Sequence, residues 1–563
     1  MKRIKTIYNT ATNFALVCTI FFLSIVILTS CKKDFLNRLA LDRIQESNVW
    51  NDAGLIETYV NSAYRSVPQG HEFIFGRTLS CLTDECNRKT NANYDMITAG
   101  NVTSTTLGIL DFWQGIVNPA GAITAPGHYN TISITNVFFE NIESSPIDTA
   151  MKKRMIGEMK VLRAFSYFRL IGFFGGVPLI TKSFSLRDNF DLPRNTYDEC
   201  MAFVIKETDE AIALLPLTYP AASMGRVTKG AAMALKSRAL LYAASPLNNI
   251  ANDKTKWQKA ADAAKAVIDL NKYSLFNDYK TLFLAANLYN PEIIWTRPFS
   301  NSLDRETYVE LGLYPNGYGG YGQVHPLHNL AEDYETKNGK LQKDDPTFNL
   351  QKPYDNLDPR FYASILYDGA PFKGRPVETF IPKGLDSNEG VLSPHNATQT
   401  GYYQRKFMDE TITNPTGKNQ GNSPWIFFRY AEIFLNYAEA MYNLGNETEA
   451  RKYINLVRSR PGVTMPAVTE SGNALLEHLQ NERRIELVFE EHRWFDVRRW
   501  KIAPVTDNED AKKMNITKDA TSNKTYNVVV FQQRAFFDRN YLAPIPQKEI
   551  EKNSKLAQNP GYN

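Results

Sequence analysis

The chain has 563 residues, 43% hydrophobic and 22% charged, with a formal net charge of +4. That is enough for two or more lobes around an ordinary globular core. It excludes a chain that works by bulk charge, whether on nucleic acid or on a strongly charged ligand. Aromatic residues reach 12%, with 29 Tyr and 32 Phe, a surplus that must be buried or serve as stacking surface.

Basic residues open the chain, an apolar run follows from Phe14 to Leu28, and Leu-Thr-Ser-Cys closes it at Cys31. This is a charged n-region, an apolar h-region and small residues ahead of a cysteine. The run is broken by Thr19 and Ser24 and is short for a stable membrane span. It resembles a bacterial lipobox, which implies a signal peptide over residues 1–30, cleavage before Cys31, and acylation of its thiol and new amino group. Several acyl chains anchor stably where one does not. Loss of Lys2, Arg3 and Lys5 with the leader brings the net charge to about +1. Of the remaining cysteines, Cys81 and Cys86 can pair in an oxidising compartment, but with Cys200 they make no disulfide framework, and no zinc spacing is present.

A helix is expected from Ile44 to Val67, then an irregular Gly/Asn/Thr-rich stretch from Gly70 to Gly127. Helices follow at Tyr129–Ile142, Met151–Phe174, Tyr197–Leu215, Lys229–Ala244 and Lys256–Leu270. In the second of these Met155, Val161, Leu162, Phe165, Phe168 and Ile171 are expected to be buried, and Gly175 to Pro178 stops it. From Tyr273 to Ser423 the chain turns rich in Gly, Pro, Asn, Asp and Tyr, with few periodic runs. Helical order returns at Trp425–Gly445 and again to Arg458, with Asn446 as N-cap, Glu449 three residues on and Gly445 as C′ residue.

The last long helix is expected from Leu475 through Trp500. Ile485, Val488, Phe489, His492 and Phe495 fall on one face. Five acids (Glu482, Glu486, Glu490, Glu491, Asp496) and five arginines (Arg483, Arg484, Arg493, Arg498, Arg499) crowd the others. Glu490 can reach Arg493 and His492 can reach Asp496 as exposed pairs worth tenths of a kcal/mol, while the arginine forks stitch irregular loops onto the helical core. Glu490, Glu491 and His492 do not form an acid–base site, because adjacent helical residues point about 100° apart. His325 and His328, with Asp333 beyond, lack a third metal ligand at defined spacing. No nucleophile elbow, phosphate loop or HExxH motif occurs, and no carboxylate pair stands out for glycoside hydrolysis.

Several stretches together resemble the SusD/RagB family of outer-membrane lipoproteins: CKKDFLN from Cys31, RAFSYFRLIGFFGGVPLI from Arg163, RVTKGAAMALKSRALLYAA from Arg226, DPRF from Asp358, FRYAEIFLNYAEA from Phe428, ERRIELVFEEHRWFDVRRW from Glu482 and YLAPIPQKEIEKNSKLAQNPGY from Tyr541. The resemblance implies a mainly α fold in which four tetratricopeptide-like helix pairs support an irregular, loop-rich ligand-binding lobe. The scaffold would span about 40–270 and 425–500, the lobe about 70–127 and 273–423, and a C-terminal tail 501–563. It implies no enzyme and no cofactor. The expected role is a cell-surface protein that captures oligosaccharide for a SusC-like TonB-dependent transporter; the alternative is a peptide-binding or protein-scaffold member of the same fold.

Within that frame the candidate ligand-binding residues are Trp113, Tyr318 and Tyr321, the latter two in the glycine-flanked YPNGYGGYG, with Asn87, Arg88 and Asn91 supplying polar contacts near Trp113. Sugar rings offer apolar faces to aromatic rings and hydroxyls to amide and guanidinium forks. Trp295, Trp425, Trp494 and Trp500 are expected in the core.

Overall fold

The structure, a computed structural model, describes residues 49–71, 78–89, 92–117, 123–185, 188–189, 191–300, 308–416 and 421–562. The expected leader, Cys31 and Asn91 lie outside the described residues. Two compact units are distinguished, one of residues 1–57 with 144–147, the other of 58–143 with 148–563. The first contributes the opening of the helix Ala53–Ser66; everything below concerns the second. Among the described residues no helix is long and apolar enough to cross a membrane.

Helices α1 (His128–Asn141), α2 (Thr149–Phe174), α3 (Tyr197–Leu214), α4 (Lys229–Ala244), α5 (Lys254–Ile268), α6 (Tyr430–Asn443), α7 (Glu447–Arg458) and α8 (Gly472–Glu486) pack each against the next along the chain. The succession includes the hairpin α6/α7 on either side of Gly445, and α5/α6, which the 268–430 lobe separates in sequence. Their starts are written locally. The side chains of Asp148, Thr228, Asp253 and Asn446 each accept a first-turn backbone N–H, and Thr196 forms a full capping box with Glu199. Gly175 ends α2 at φ 72°, a left-handed conformation that a side chain resists. All six apolar residues expected to be buried in α2 are at most 3% exposed.

Among the short strands of the described residues, six matter here: β1 (Cys86–Arg88), β2 (Ile293–Arg297), β3 (Val324–Pro326), β4 (Trp425–Arg429), β5 (Ala511–Lys518) and β6 (Lys524–Gln532). They pair antiparallel as β1 with β3, β2 with β4, and β5 with β6. Trp425–Arg429 is therefore a strand where helical periodicity predicted the start of a helix. All five of its residues are buried, and a two-stranded pairing with β2 satisfies their backbone while Trp295 stacks on Phe427 with ring centroids 4.0 Å apart. Trp295, Trp425, Trp494 and Trp500 are all in the core.

The expected helix through Trp500 is broken. α8 stops at Glu486 and α9 covers Arg493–Arg499, with Phe489 and Glu491 at φ 60° and 62° between them. Side chains from distant segments take over the carbonyls a helix would have used internally. Arg429 Nη2 donates to Glu486 O at 2.6 Å, Tyr279 Oη to the same oxygen at 2.9 Å, and Lys406 Nζ to Val488 O at 2.9 Å. Cations placed at a helix C-terminus are favoured by the dipole as well.

The charges on this stretch are buried rather than exposed, and their partners differ from those expected. Glu490 pairs with Arg429 and Lys406, not Arg493; Arg493 grips Asp84 through two hydrogen bonds; Asp496 is taken by Arg483 and Arg499, not His492. Arg360 of the DPRF motif reaches Glu482 and Glu486. The arginine forks do stitch loops to the helical core, as their number implied.

Candidate ligand-binding site

Pairing of β1 with β3 sets Asn87 opposite His325 and Arg88 opposite Val324, and Lys89 N–H donates to Gln323 O at 3.1 Å. Two segments more than 200 residues apart in sequence are thereby joined: the Asn87–Lys89 stretch and the end of the tyrosine–glycine loop. The loop folds tightly enough to need its glycines. A Cβ on Gly320 would lie 2.1 Å from Tyr314 O, and Gly322, at φ 46°, approaches Asn396 O closely enough that a Cβ would meet it at 2.6 Å.

His325 braces the junction. Its Nε2 donates to Gly322 O at 2.6 Å while Nδ1 accepts from Gln399 N–H at 3.4 Å, which specifies one neutral tautomer. Burial holds its pKa down to about 3. His328 is engaged elsewhere, its Nδ1 2.9 Å from the Tyr402 hydroxyl. The two histidines have separate structural partners, and no group of three or more metal-ligating side chains occurs among the described residues.

Beside this junction lies a polar cleft of about 400 Å³, lined in part by Lys89, His395, Gln399, Lys513 and Asn515, with Phe531 as its aromatic member. Asn87 Nδ2 donates to Gln399 Oε1 at 3.3 Å and Lys89 Nζ to Asn396 Oδ1 at 2.6 Å, so β1 positions one wall of the cleft. Burial lowers the Lys89 pKa. Glu389 is the one acid among its described lining residues. The cleft thus offers amide forks, ammonium donors and one aromatic face to a hydroxyl-rich ligand. It does not present the two opposed carboxylates that glycoside hydrolysis needs.

The sequence-derived candidates separate. Tyr321 is 37% exposed and is not among the residues that line the cleft; the Gly322 that follows it packs on Asn396, which stands between the lining residues His395 and Ala397. Tyr318 is half-buried: its hydroxyl donates to the carbonyls of Phe372 and Arg375, its ring edge meets Phe372, and the Arg375 guanidinium lies 4.0 Å over its face. These contacts hold the loop and cover one face of the ring. Asn87 and Arg88 are 3% and 4% exposed; Asn87 acts on the cleft through Gln399, and Arg88 packs against the Tyr94 ring. Trp113 is 5% exposed, wedged between Tyr129 and Phe174, and floors a different cleft of about 810 Å³ whose lining shares no residue with the polar one. The three candidate rings thus lie in different surroundings: Trp113 is buried, Tyr318 half-buried and Tyr321 exposed, since a large ring in an irregular stretch can gain more from packing than from solvent.

Lys89, His395, Gln399, Lys513, Asn515 and Phe531 escaped the sequence reading. The alternation in KTYNVVVFQ before Phe531 signals a strand, which was the one clue available. The others sit in polar loops or on the partner strand with no pattern of their own.

Just ahead of the tyrosine loop, Glu310 is fully buried in the turn Val309–Leu313, where its Oε1 accepts Asp409 N–H at 2.9 Å. Burial pushes its pKa up to about 8. The folded state therefore holds a proton that the unfolded chain releases above the ordinary carboxylate range, and stability falls as pH rises from about 5 towards 8. Glu310→Gln is expected to flatten part of that slope in denaturation midpoints measured across this window; an unchanged slope would assign it to other groups.

The chain was compared with known proteins. The profile of the SusD family matches residues 291–562, and a profile described as "Starch-binding associating with outer membrane" matches residues 39–241. SusD-like protein P25 of Formosa agariphila is 23% identical over 505 residues, 85% of each chain. Among solved structures, a SusD-like protein from Bacteroides fragilis superposes with a TM-score of 0.78 at 29% identity, covering 93% of this chain and all of its own. A SusD-like carbohydrate-binding protein from the same species gives 0.77 at 26%, covering 91% of this chain and all of its own. With the two profiles together matching residues 39–241 and 291–562, and the fold shared with solved SusD-like proteins over more than nine-tenths of the chain, the chain belongs to the SusD/RagB family, a family of outer-membrane-associated carbohydrate-binding proteins and not of enzymes.

Proposed function

We propose that the protein captures oligosaccharide at the cell surface in the polar cleft beside Tyr321, tethered through lipid on Cys31, and passes it to a SusC-like TonB-dependent transporter. The observation that carries this reading is the convergence of Lys89, Gln399 and His395 with the Phe531 ring along one cleft, at the end of the β1/β3 pairing. Hydroxyls find amide and ammonium partners there, and a sugar face finds Tyr321 or Phe531. The carbohydrate binding of a structural relative supports the ligand class.

The test is calorimetric titration with oligosaccharides selected on a glycan array. Tyr321→Ala and Lys89→Ala are each expected to weaken binding by about 1 kcal/mol, roughly fivefold, without altering the unfolding midpoint. Bound sugar should be recovered uncleaved. Unchanged affinity in both variants would move the site elsewhere, and release of shorter sugars would make the protein a hydrolase.

A further inference from the structure

Cys81 lies in the 3-10 turn Leu79–Leu82 and Cys86 opens β1. Both side chains are fully buried, and their sulfurs are 3.0 Å apart, closer than unbonded thiols normally rest. The turn between them is clamped from three other parts of the fold. Asp84 is held by Arg493 through two bonds of 2.8 and 2.7 Å and by Arg484 at 3.2 Å, Arg534 donates to Thr83 O, and Leu327 N–H donates to Glu85 O at 3.0 Å. The two sulfurs are thus pressed together by tertiary contacts that do not depend on a bond between them. No third metal-ligating side chain joins them among the described residues. Cys200 sits apart, its thiol directed at Val177 O at 3.3 Å.

We propose that Cys81 and Cys86 are joined by a disulfide in the exported protein, and that this cross-link fixes β1, and with it Asn87 and Lys89, against the tyrosine loop. An outer-membrane-associated chain folds beyond the reach of cytoplasmic reductants. The oxidant is a protein dithiol–disulfide oxidoreductase of the cell envelope. One cysteine thiolate attacks a sulfur of its disulfide and expels the other as thiolate. The second cysteine thiolate then attacks the mixed disulfide, so that two electrons end on the oxidant as its dithiol and the chain loses two protons. Because both sulfurs are sealed from solvent in the fold, the exchange precedes closure of the chain over them, and the finished bond is shielded from reductant. Burial also pushes the Cys86 thiol pKa well up, which suits a structural bond rather than a thiol that exchanges repeatedly.

Trypsin cuts after Arg77 and Arg88, so one peptide, Thr78–Arg88, carries both cysteines. The full-length protein isolated from the envelope is denatured in excess iodoacetamide without reductant, digested and weighed. The peptide is expected two hydrogens lighter than the dithiol and unalkylated, gaining two alkyl groups only when reductant precedes the reagent. Cys200 is expected to be alkylated in both samples, which controls for reagent access. Alkylation of Cys81 and Cys86 without prior reduction, or a peptide linking either to Cys200, overturns the proposal.

Discussion

Replacing Glu486 by Ala is expected to lower the unfolding free energy by about 3–5 kcal/mol, the range for removing one partner of a buried ion network. Glu486 is wholly buried, and its carboxylate is shared by three guanidiniums: Arg429 at 2.6 Å, Arg460 at 2.8 Å and Arg360 at 3.0 Å. Without it those three cations keep only the acids around them, among them Glu292 at 2.8 Å from Arg429 and Glu482 at 2.5 Å from Arg360. The uncompensated charge, more than the lost attraction, sets the size of the effect. Glu486→Gln keeps the volume and is expected to cost nearly as much, which separates charge from packing. Lys206→Ala, whose pairing with Glu210 is 4.0 Å long and on the surface, should leave the midpoint unmoved. The measurement is urea denaturation followed by circular dichroism.

The arginines beside Glu486 hold its carboxyl well below the usual carboxylate range. A depressed acid stabilises the fold above its unfolded pKa and loses that contribution only as pH falls through the folded value. The network is therefore expected to persist through mild acid. Buried neutral histidines such as His325 lose stability below their unfolded pKa by themselves, so the check is the stability difference between Glu486→Gln and the parent, and a difference that shrinks between about pH 7 and 5 would contradict it.

Trp113→Ala carries the second large effect, about 3–5 kcal/mol for truncating a buried tryptophan. The ring is in contact with Tyr129 at 4.9 Å and edge-on to Phe174 at 5.3 Å between centroids. Its own carbonyl accepts Tyr129 N–H at 3.3 Å, so the cavity opens where α1 begins. The midpoint is expected to drop while the folded fraction keeps its oligosaccharide affinity at the Lys89–Gln399 cleft. Trp113→Phe preserves much of the packing and makes the decisive comparison. If it binds as the parent does, Trp113 is structural. If it keeps the midpoint but loses binding, the 810 Å³ cleft it floors is the true site.

Much of the helical frame was legible in the chain because helices are written locally. A 3.6-residue period, an Asn446 followed by Glu449, and a glycine after Phe174 act within a few residues of one another, and each element built on them lies within a few residues of its expected ends. The ordered motifs that carry the family resemblance are also linear, and the comparisons agree with them. The one long helix read beyond its true end failed at Glu486, where Arg429, Tyr279 and Lys406, between 57 and 207 residues away, compete for its carbonyls.

By itself, then, the sequence determined a mainly helical frame, since periodicity and caps survive reading along a line, and its ordered motifs carried the resemblance to the SusD/RagB family of binding proteins. Only the tertiary structure decided which acid each buried arginine meets, that Trp425–Arg429 pairs as a strand, that Trp113 faces inward, and that Lys89, Gln399 and Asn515 share one cleft. Those outcomes depend on hydrogen bonds and burial between segments hundreds of residues apart. No local spacing encodes such choices, because any carboxylate would satisfy a guanidinium and only the packed fold selects the one within reach.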